Sequence, residues 1–408
     1  MNSSIQPFSR AWLPGLFCAV IFYCAQPVVA APQQDGHWVG TWGTSPQLTE
    51  PRNLPPPPGL TSNTLRQIVQ VSIGGEKLRV RFSNAFGTNA VTMSSVHLAL
   101  SAGGGTIKTN SDQALTFQGE RSVMIPAGES MFSDAFDFNL TPLSDLAVTI
   151  YFEGTSGNVT GHPGSRSTSY LQPGNAVSAT DLPTAARTQH WYILNGIDVD
   201  AETSSAAVVT LGDSITDGRG SGTDKNDRWP DELAGRLQAD KDTANIAVLN
   251  EGIGGNCVLH GGLGPTAVSR FERDVLSQSG VRWLILLEGV NDIGGSHDAS
   301  VATNLMNAYK TMIGQAHAQQ LRVYGGTILP FGGSFYDGPA HEAAREAVNN
   351  WIRNSGKFDA VIDFDAALRD PQNPSHLRQA ADSGDHLHPN ENGYKMMAEA
   401  IDLKLFRN

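Results

Sequence analysis

The sequence predicts a chain with two architectures: an all-β sandwich or jelly-roll-like region, followed by an α/β domain with a doubly wound parallel sheet of five strands. Between about residues 62 and 200 apolar and polar residues alternate with period two, which is typical of half-buried antiparallel strands. After about residue 205, short runs that are apolar on both faces alternate with helical segments, which is typical of parallel sheets. The length of 408 residues is enough for two or three domains.

The first 30 residues are predicted to be a cleaved signal peptide. Arg10 precedes an apolar stretch at 16–25, and a small residue, Ala30, follows it. The stretch is too short for a comfortable membrane span, so we expect a secreted or periplasmic protein without stable membrane insertion. Cleavage would leave Cys257 as the last cysteine, for which a buried structural thiol is favoured over a nucleophile.

The charge balance argues against nucleic acid as a partner. The formal net charge is −12, so there is no basic excess to neutralise phosphates. The same acidity disfavours binding to an anionic membrane surface. We therefore expect neither nucleic acid nor membrane among the partners.

The β-rich region is predicted to begin after a polar, proline-rich tail or loop at 31–60, which ends in four consecutive prolines. A β-rich accessory domain is expected over 61–203. Its alternating segments, separated by turns rich in Gly, Asn, Ser and Pro, include 67–73, 78–82, 91–93 and 147–152.

The α/β domain is predicted over 204–408, with five repeats of strand and helix. The expected strands are 206–211, 246–249, 283–287, 323–328 and 360–364. The expected helices begin at Pro230 and otherwise cover 266–278, 300–320, 339–354 and 391–405.

Polar groups follow several of these strands, at the edge where open parallel sheets bind ligands. The segments concerned are 212–218, 250–256 and 288–292, together with 385–390 before the last helix. They supply a hydroxyl, a glycine-rich amide turn, a carboxamide, and a neighbouring Asp and His. Acyl transfer by serine needs a nucleophile, a base, an acid that orients the base, and donors for the oxyanion.

These blocks resemble the SGNH/GDSL hydrolase superfamily, and their order along the chain is that of the family. The matching residues are Gly212-Asp213-Ser214-Ile215-Thr216-Asp217-Gly218, Asn250 with Gly255-Asn256, Gly289-Val290-Asn291-Asp292, and Asp385 with His388. The resemblance covers roughly 205–408. A β-rich module before the catalytic domain is similar to the accessory domain of some secreted bacterial members.

The resemblance implies a serine triad that needs neither a cofactor nor a metal. Ser214 would be the nucleophile, His388 the general base, and Asp385 the residue that orients the imidazole. The oxyanion hole would consist of the backbone N–H of Ser214, the N–H of Gly255 and the side-chain amide of Asn291.

Several assignments stay open at this stage. Gly254 is an alternative to Gly255 as a donor, and His386 competes with His388, although the Asp-x-x-His spacing favours His388. Asp213, Asp217 and Asn250 are expected to hold loop backbone. Glu288 is expected to pair with Arg270 or Arg273, or else to touch the substrate.

The sequence thus predicts an exported carboxylic ester hydrolase that cleaves short- to medium-chain acyl esters through an acyl-enzyme. The expected partner is a small-molecule or polysaccharide ester, with O-acetyl groups of polysaccharide among the candidates. The alternatives are a lysophospholipase or lipase, an acyltransferase with the same triad, and a carbohydrate-binding protein with an inert hydrolase-like domain. Neither the substrate-binding residues nor the oligomeric state follows from the sequence, which also leaves open whether the loop 162–166 reaches the cleft.

Overall fold

The computed structural model describes Met1 and residues 36–407, so the predicted signal peptide at 1–30 lies outside the described residues. From Gly36 onward the chain forms one compact unit. No helix in this described part is both long and apolar enough to cross a membrane.

The β-rich region contains antiparallel strands that pair into three sheets. In chain order they are β1 (Trp38–Gly43), β2 (Gln47–Leu48), β3 (Asn63–Gln70), β4 (Gly75–Ser83), β5 (Val91–Gly103), β6 (Thr106–Ile107), β7 (Gln113–Ala114), β8 (Val123–Ile125), β9 (Ser130–Phe132), β10 (Phe136–Leu140), β11 (Asp145–Gly154), β12 (Thr160–His162), β13 (Ser169–Pro173), β14 (Ala186–Thr188), β15 (Trp191–Tyr192) and β16 (Leu194–Asp200).

Two of these sheets are large, and the third is small. One runs β1-β16-β4-β10, with β9 also on β4. The second runs β14-β13-β3-β11-β5-β6, with β7 and β8 also on β5, and the third is β15-β12-β2. The antiparallel pairing agrees with the period-two pattern, and the sandwich or jelly-roll connectivity stays a prediction.

The first strand corrects the expectation of a tail or loop over 31–60. Trp38–Gly43 is a largely buried strand that pairs with β16, with Trp38 opposite Asp200. Its glycines pack on the α/β region, where a Cβ on Gly40 would lie 2.9 Å from Cδ1 of Leu249. The prolines near residue 55 dominate the composition of the segment 31–60, so its composition does not indicate the short, buried strand β1.

The α/β region has the predicted five-stranded parallel sheet. Its strands are β17 (Ala206–Gly212), β18 (Ile246–Gly252), β19 (Val281–Leu287), β20 (Arg322–Gly326) and β21 (Ala360–Ile362). Their order is β18-β17-β19-β20-β21, and every pairing is parallel. The strand order reverses beside β17, and such a switch point opens a crevice at the carboxyl ends of the strands.

Helices of varied length connect and flank these strands. They are α1 (Ser214–Asp217), α2 (Trp229–Ala239), α3 (Ala267–Phe271), α4 (Val290–Gly294), α5 (Val301–Ala318), α6 (Pro339–Asn354), α7 (Phe364–Leu368) and α8 (Glu391–Glu399). After α3 the chain continues as a π-helical turn, Glu272–Leu276. The helix predicted over 391–405 ends at Glu399 because Asp402 caps a separate 3-10 turn by accepting from the N–H of Lys404.

A buried polar cluster joins the two regions. The hydroxyl of Ser45, between β1 and β2, lies 2.7 Å from Oε2 of Glu251 and 2.8 Å from Oδ2 of Asp274. Nη1 of Arg270 donates to the same hydroxyl at 2.8 Å. Burial, reinforced by the charge of Asp274, raises the pKa of Glu251 to about 8. At the predicted boundary, 203/204, the chain changes from β-rich to α/β structure, but the two regions pack together as one compact unit.

Candidate active site

Ser214 begins the short helix α1, directly beyond the end of β17. The carboxylate of Asp213 accepts a hydrogen bond from the N–H of Ile215 at 2.9 Å and caps this helix. Gly212 makes the turn possible, since a Cβ there would lie 2.5 Å from the carbonyl oxygen of Leu287. The sequence thus presents the Ser214 hydroxyl at the carboxyl edge of the sheet.

The structure brings Ser214, His388 and Asp385 together. Oγ of Ser214 lies 2.8 Å from Nε2 of His388, and Nδ1 of His388 lies 2.7 Å from Oδ2 of Asp385. The other carboxylate oxygen of Asp385 accepts from the backbone N–H groups of His388 and Leu387, at 2.9 and 3.1 Å. With its proton on Nδ1, the imidazole can accept the hydroxyl proton of Ser214 at Nε2.

The environment keeps this imidazole neutral and the carboxylate charged. Burial lowers the pKa of His388, and the hydrogen bond and charge of Asp385 only partly oppose that effect. Burial alone would raise the pKa of Asp385, but the backbone and side-chain hydrogen bonds of His388 outweigh it and lower the pKa to about 2. A neutral base beside an ionised orienting acid is the state that accepts a proton.

The competing histidine of the same segment lies elsewhere. Nδ1 of His386 pairs with Oδ2 of Asp382 at 2.6 Å, and its side chain is 53% exposed. His388, in contrast, is buried against Ser214. Within residues 36–407 no group of three or more His, Cys, Asp or Glu side chains is arranged to hold a metal ion.

Asn291 is oriented by hydrogen bonds on both sides of its carboxamide. The hydroxyl of Tyr336 donates to its Oδ1 at 3.1 Å, and its Nδ2 donates to the carbonyl of Asn256 at 2.8 Å. A carboxamide nitrogen carries two hydrogens, so a second N–H is left for a ligand. Asn291 lines the same cavity as Ser214 and His388.

The glycine turn after β18 faces this cavity as well. Gly254 and Gly255 both line it, and Gly255 adopts a left-handed φ of +71°. Both amides stay candidates for the oxyanion donor. The neighbouring Asn250 holds the turn, because its Nδ2 donates to the carbonyl of Thr216 at 2.8 Å and its Oδ1 accepts from the N–H of Gly252 at 3.0 Å.

Buried acidic groups lie beneath the loops of the site. Burial raises the pKa of Asp213 to about 7 and that of Glu288 to about 8. Oε2 of Glu288 lies 3.6 Å from Nη2 of Arg270, which favours the ion pair over substrate contact. Asp292 accepts from the backbone N–H groups of Val258 and Leu259, at 2.8 and 2.9 Å.

Cys257 is a buried free thiol, and burial raises its pKa to about 12. A thiol in this environment stays protonated and is a poor nucleophile. The structural interpretation of this residue therefore fits its surroundings.

The β-rich region forms one wall of the cavity, whose volume is about 260 Å³. The loop 162–166 reaches the cleft, and Pro163, Gly164 and Arg166 line it together with Ser214. Nε2 of the buried His162 lies 2.9 Å from Oδ1 of Asp217, the last residue of α1.

Sequence reasoning raised the loop that begins at His162 but not the contact of His162 with Asp217, and it missed the contribution of Tyr336. No local pattern marks His162, which meets Asp217 only through tertiary packing. Tyr336 offered a weak signal, as an aromatic residue in the glycine-containing loop that follows β20 at the carboxyl edge of the sheet.

Residues 210–396 match the model of the GDSL-like lipase/acylhydrolase family, which confirms the resemblance seen in the sequence blocks. No curated protein matches the chain.

Three solved structures are similar to about half of the chain. A protein assigned to the lipolytic G-D-S-L family from Desulfitobacterium hafniense is 23% identical, with a TM-score of 0.39, over 48% of this chain and 97% of its own. An acetylxylan esterase from Geobacillus stearothermophilus is 21% identical, with a TM-score of 0.37, over 49% and 94%. A GDSL-like lipase from Bacteroides thetaiotaomicron is 18% identical, with a TM-score of 0.36, over 49% and 87%.

Proposed function

Since residues 210–396 belong to the GDSL-like lipase/acylhydrolase family, we propose that this chain is a serine carboxylic ester hydrolase that works through an acyl-enzyme. The observation that carries the proposal is the chain of contacts from Ser214 Oγ to His388 Nε2 at 2.8 Å and from His388 Nδ1 to Asp385 Oδ2 at 2.7 Å.

In the first half-reaction Ser214 Oγ attacks the carbonyl carbon of the ester while His388 Nε2 takes the hydroxyl proton. Asp385 stabilises the resulting imidazolium. The negative charge on the carbonyl oxygen meets the backbone N–H of Ser214, a glycine amide of the turn at 254–255, and the second N–H of Asn291. Collapse of this intermediate breaks the bond to the alcohol oxygen, which takes the proton from His388.

The second half-reaction repeats these steps with water. His388 removes a proton from water, the hydroxide oxygen attacks the acyl carbon, and Ser214 Oγ leaves with the proton returned by His388. The products are a carboxylic acid and a free enzyme. No further group is required for the atoms and charges to balance.

The preferred substrates would be esters of short- to medium-chain acids, with O-acetyl groups of polysaccharide among them. The size of the cavity, about 260 Å³, supports a small acyl group, because sites for drug-sized ligands begin at about 300 Å³. Export is a separate proposal that rests on the N-terminal sequence around residues 10–30, and sequencing the N-terminus of the protein recovered from the periplasm or medium tests it.

Initial rates on p-nitrophenyl esters of two to sixteen carbons test the proposed function. We expect hydrolysis with a maximum at short chains, and a loss of at least about 10⁴-fold in Ser214→Ala. Ser355→Ala, at the half-buried C-cap of α6, is the matched control and should keep the wild-type rate. Equal rates in wild type and Ser214→Ala would contradict the assignment, and a maximum at long chains would favour a lipase.

A further inference from the structure

The cavity that contains Ser214 is rich in arginine, although the chain as a whole carries a formal net charge of −12. Arg52, Arg166 and Arg219 line the cavity together with Ser214 and His388. Two of these arginines come from the β-rich region and one from the α/β region. Three guanidinium groups beside one nucleophile favour an anionic ligand where acidic side chains do not pair with them.

Arg166 is held in place without a partner for its side chain. Its Nε is buried and donates to no hydrogen-bond acceptor among the described residues, and its backbone has a left-handed φ of +53°. Asp224 anchors the loop, since its N–H donates to the carbonyl of Arg166 at 2.9 Å and its carboxylate accepts from the N–H of Thr168 at 2.6 Å. A strained residue with a buried, unsatisfied donor beside the nucleophile is a candidate position for a ligand contact.

The acidic side chains of the cavity already have partners of their own. Two carboxylates line the cavity, those of Glu50 and Asp217, and Asp217 contacts His162 rather than an arginine. The carboxylate of Glu50 accepts from the side chains of Gln47 and Asn53, at 3.0 and 2.9 Å.

The arginines are correspondingly under-compensated. Nε of Arg219 is 3.8 Å from Oδ2 of Asp385, beyond hydrogen-bond distance, and its side chain is 62% exposed. Across residues 36–407, Arg52 makes neither an ion pair nor a side-chain hydrogen bond, and its side chain is exposed at the mouth of the cavity. The three arginines of the lining thus outnumber its two carboxylates, which leaves one formal positive charge for a ligand.

The arginines lie near His388, and in the proposed mechanism His388 faces the leaving alcohol. Arg219 adjoins Asp385, and the charges of both Arg219 and Arg166 act on His388, the group that returns the proton to the alcohol oxygen. Gly255 and Asn291 also line a second cavity of about 490 Å³, which therefore adjoins the first.

We propose that the alcohol part of the substrate carries a carboxylate, which Arg166 binds with the help of Arg219 and Arg52. The inference rests on the proposed esterase function and names its substrate class: an O-acyl ester of an acidic alcohol. Guanidinium groups bind carboxylates through paired, charge-assisted hydrogen bonds. Two sources supply this chemistry, namely a uronic acid of an oligosaccharide and a small hydroxy acid.

Two matched pairs of probes test the proposal on the full-length protein. The first is O-acetylated oligogalacturonate against the same oligomer with methyl-esterified carboxyl groups. The second is 3-acetoxybenzoate against its methyl ester, and p-nitrophenyl acetate serves as the neutral reference. We expect kcat/KM to favour the acidic member by about tenfold or more, with the preference shrinking as salt is added.

The outcomes separate the two proposals. A preference in the sugar pair alone identifies an acidic glycan, and a preference in both pairs identifies the carboxylate itself. Ratios of one or below in both pairs, or hydrolysis of p-nitrophenyl acetate alone, overturn the anionic substrate and leave the esterase intact. If p-nitrophenyl acetate and all four probes are untouched, the esterase proposal fails, and this inference falls with it.

Substitutions test whether the arginines cause the preference for the acidic probes. Arg166→Gln and Arg52→Gln should each lower the acid-to-neutral ratio of kcat/KM, by about tenfold for Arg166 and less for the exposed Arg52. Arg166→Lys keeps the charge and should lose less. Arg121→Gln, an exposed arginine before β8, is the control and should keep the ratio.

Arg166→Gln could lose its preference simply because it is less stable, so two measurements that leave Arg166 unchanged are included. If Arg166→Gln unfolds at a lower temperature than wild type, the ratio in Arg52→Gln and its salt dependence in the wild type decide the question. An unchanged ratio in Arg52→Gln, together with an unchanged ratio across salt concentrations, would overturn the proposal.

Discussion

The two regions of this chain contribute to the cleft in different ways. The α/β region places Ser214, Gly255 and Asn291 beyond the ends of three adjacent strands, β17, β18 and β19. The β-rich region adds a wall through the loop 162–166 and supports α1 through the contact of His162 with Asp217. Groups for the proposed chemistry thus lie in short sequence blocks, whereas recognition and support come from packing between distant segments.

The largest effect that tests this comparison is expected at Asp385, within the α/β region. Asp385→Asn should lower kcat by about 10⁴-fold, because the amide no longer fixes the imidazole tautomer or stabilises the imidazolium. Steady-state hydrolysis of p-nitrophenyl acetate measures it.

The neighbouring pair of Asp382 and His386 provides the control for that change. Asp382→Asn alters an exposed Asp–His pair of the same segment, and we expect activity within a fewfold of wild type. An Asp385→Asn enzyme as active as Asp382→Asn would mean that Ser214 and His388 suffice as a dyad.

A smaller effect is expected from the β-rich region at His162. His162→Gln removes the 2.9 Å contact with Asp217 and should lower kcat/KM by about tenfold, because α1 loses one of its supports. His97→Gln, which breaks a His–Asp pair lying wholly within the β-rich region, is the matched control. Equal activities of the two variants would show that the β-rich region supplies a wall but no support to the catalytic helix.

The junction at Ser45 should affect stability rather than rate. Ser45→Ala leaves Glu251, Asp274 and Arg270 buried without the shared hydroxyl, which should lower the free energy of unfolding by about 1–3 kcal/mol. Denaturant unfolding of the variant and of Ser122→Ala, an exposed serine, compares the two costs. A Ser45→Ala protein as stable as Ser122→Ala would weaken the view that this cluster ties the regions together.

The pH profile gives the finest comparison, because each region supplies one arginine that acts on His388. Burial, and then the charges of Arg219 and Arg166, lower the pKa of His388 against the opposing effect of Asp385. The base must be neutral, so kcat/KM should fall with decreasing pH, with its midpoint below the ordinary value of 6.5. Arg219→Gln should raise that pKa and move the midpoint to higher pH, and Arg166→Gln should do so to a smaller extent. A shift in the opposite direction would contradict the placement of these charges.

The sequence predicted the five parallel strands because buried strands are apolar on both faces, and it predicted the loops that follow them because these carry a distinctive order of residues. It placed β1 in a tail because the prolines after it dominate the composition. The proximity of His162 to Asp217 arises between residues that no local pattern connects, and the hydrogen bond of Tyr336 to Asn291 spans two separate loops. Contacts of this kind follow from the packed structure alone.

The glycines of β1 limit how this protein can be rebuilt by protein engineering. A Cβ on Gly40 would lie 2.9 Å from Leu249, and one on Gly43 would lie 2.8 Å from Oε1 of Glu251, so the strand nests on β18. A gene fusion that carried only residues 204–408 to another scaffold would strip this cover and leave Glu251 and Leu249 facing water or an ill-fitting neighbour. We therefore expect the α/β region to be unstable when it is transferred without the β-rich region. Libraries that exchange the β-rich region need to keep small residues at positions 40 and 43.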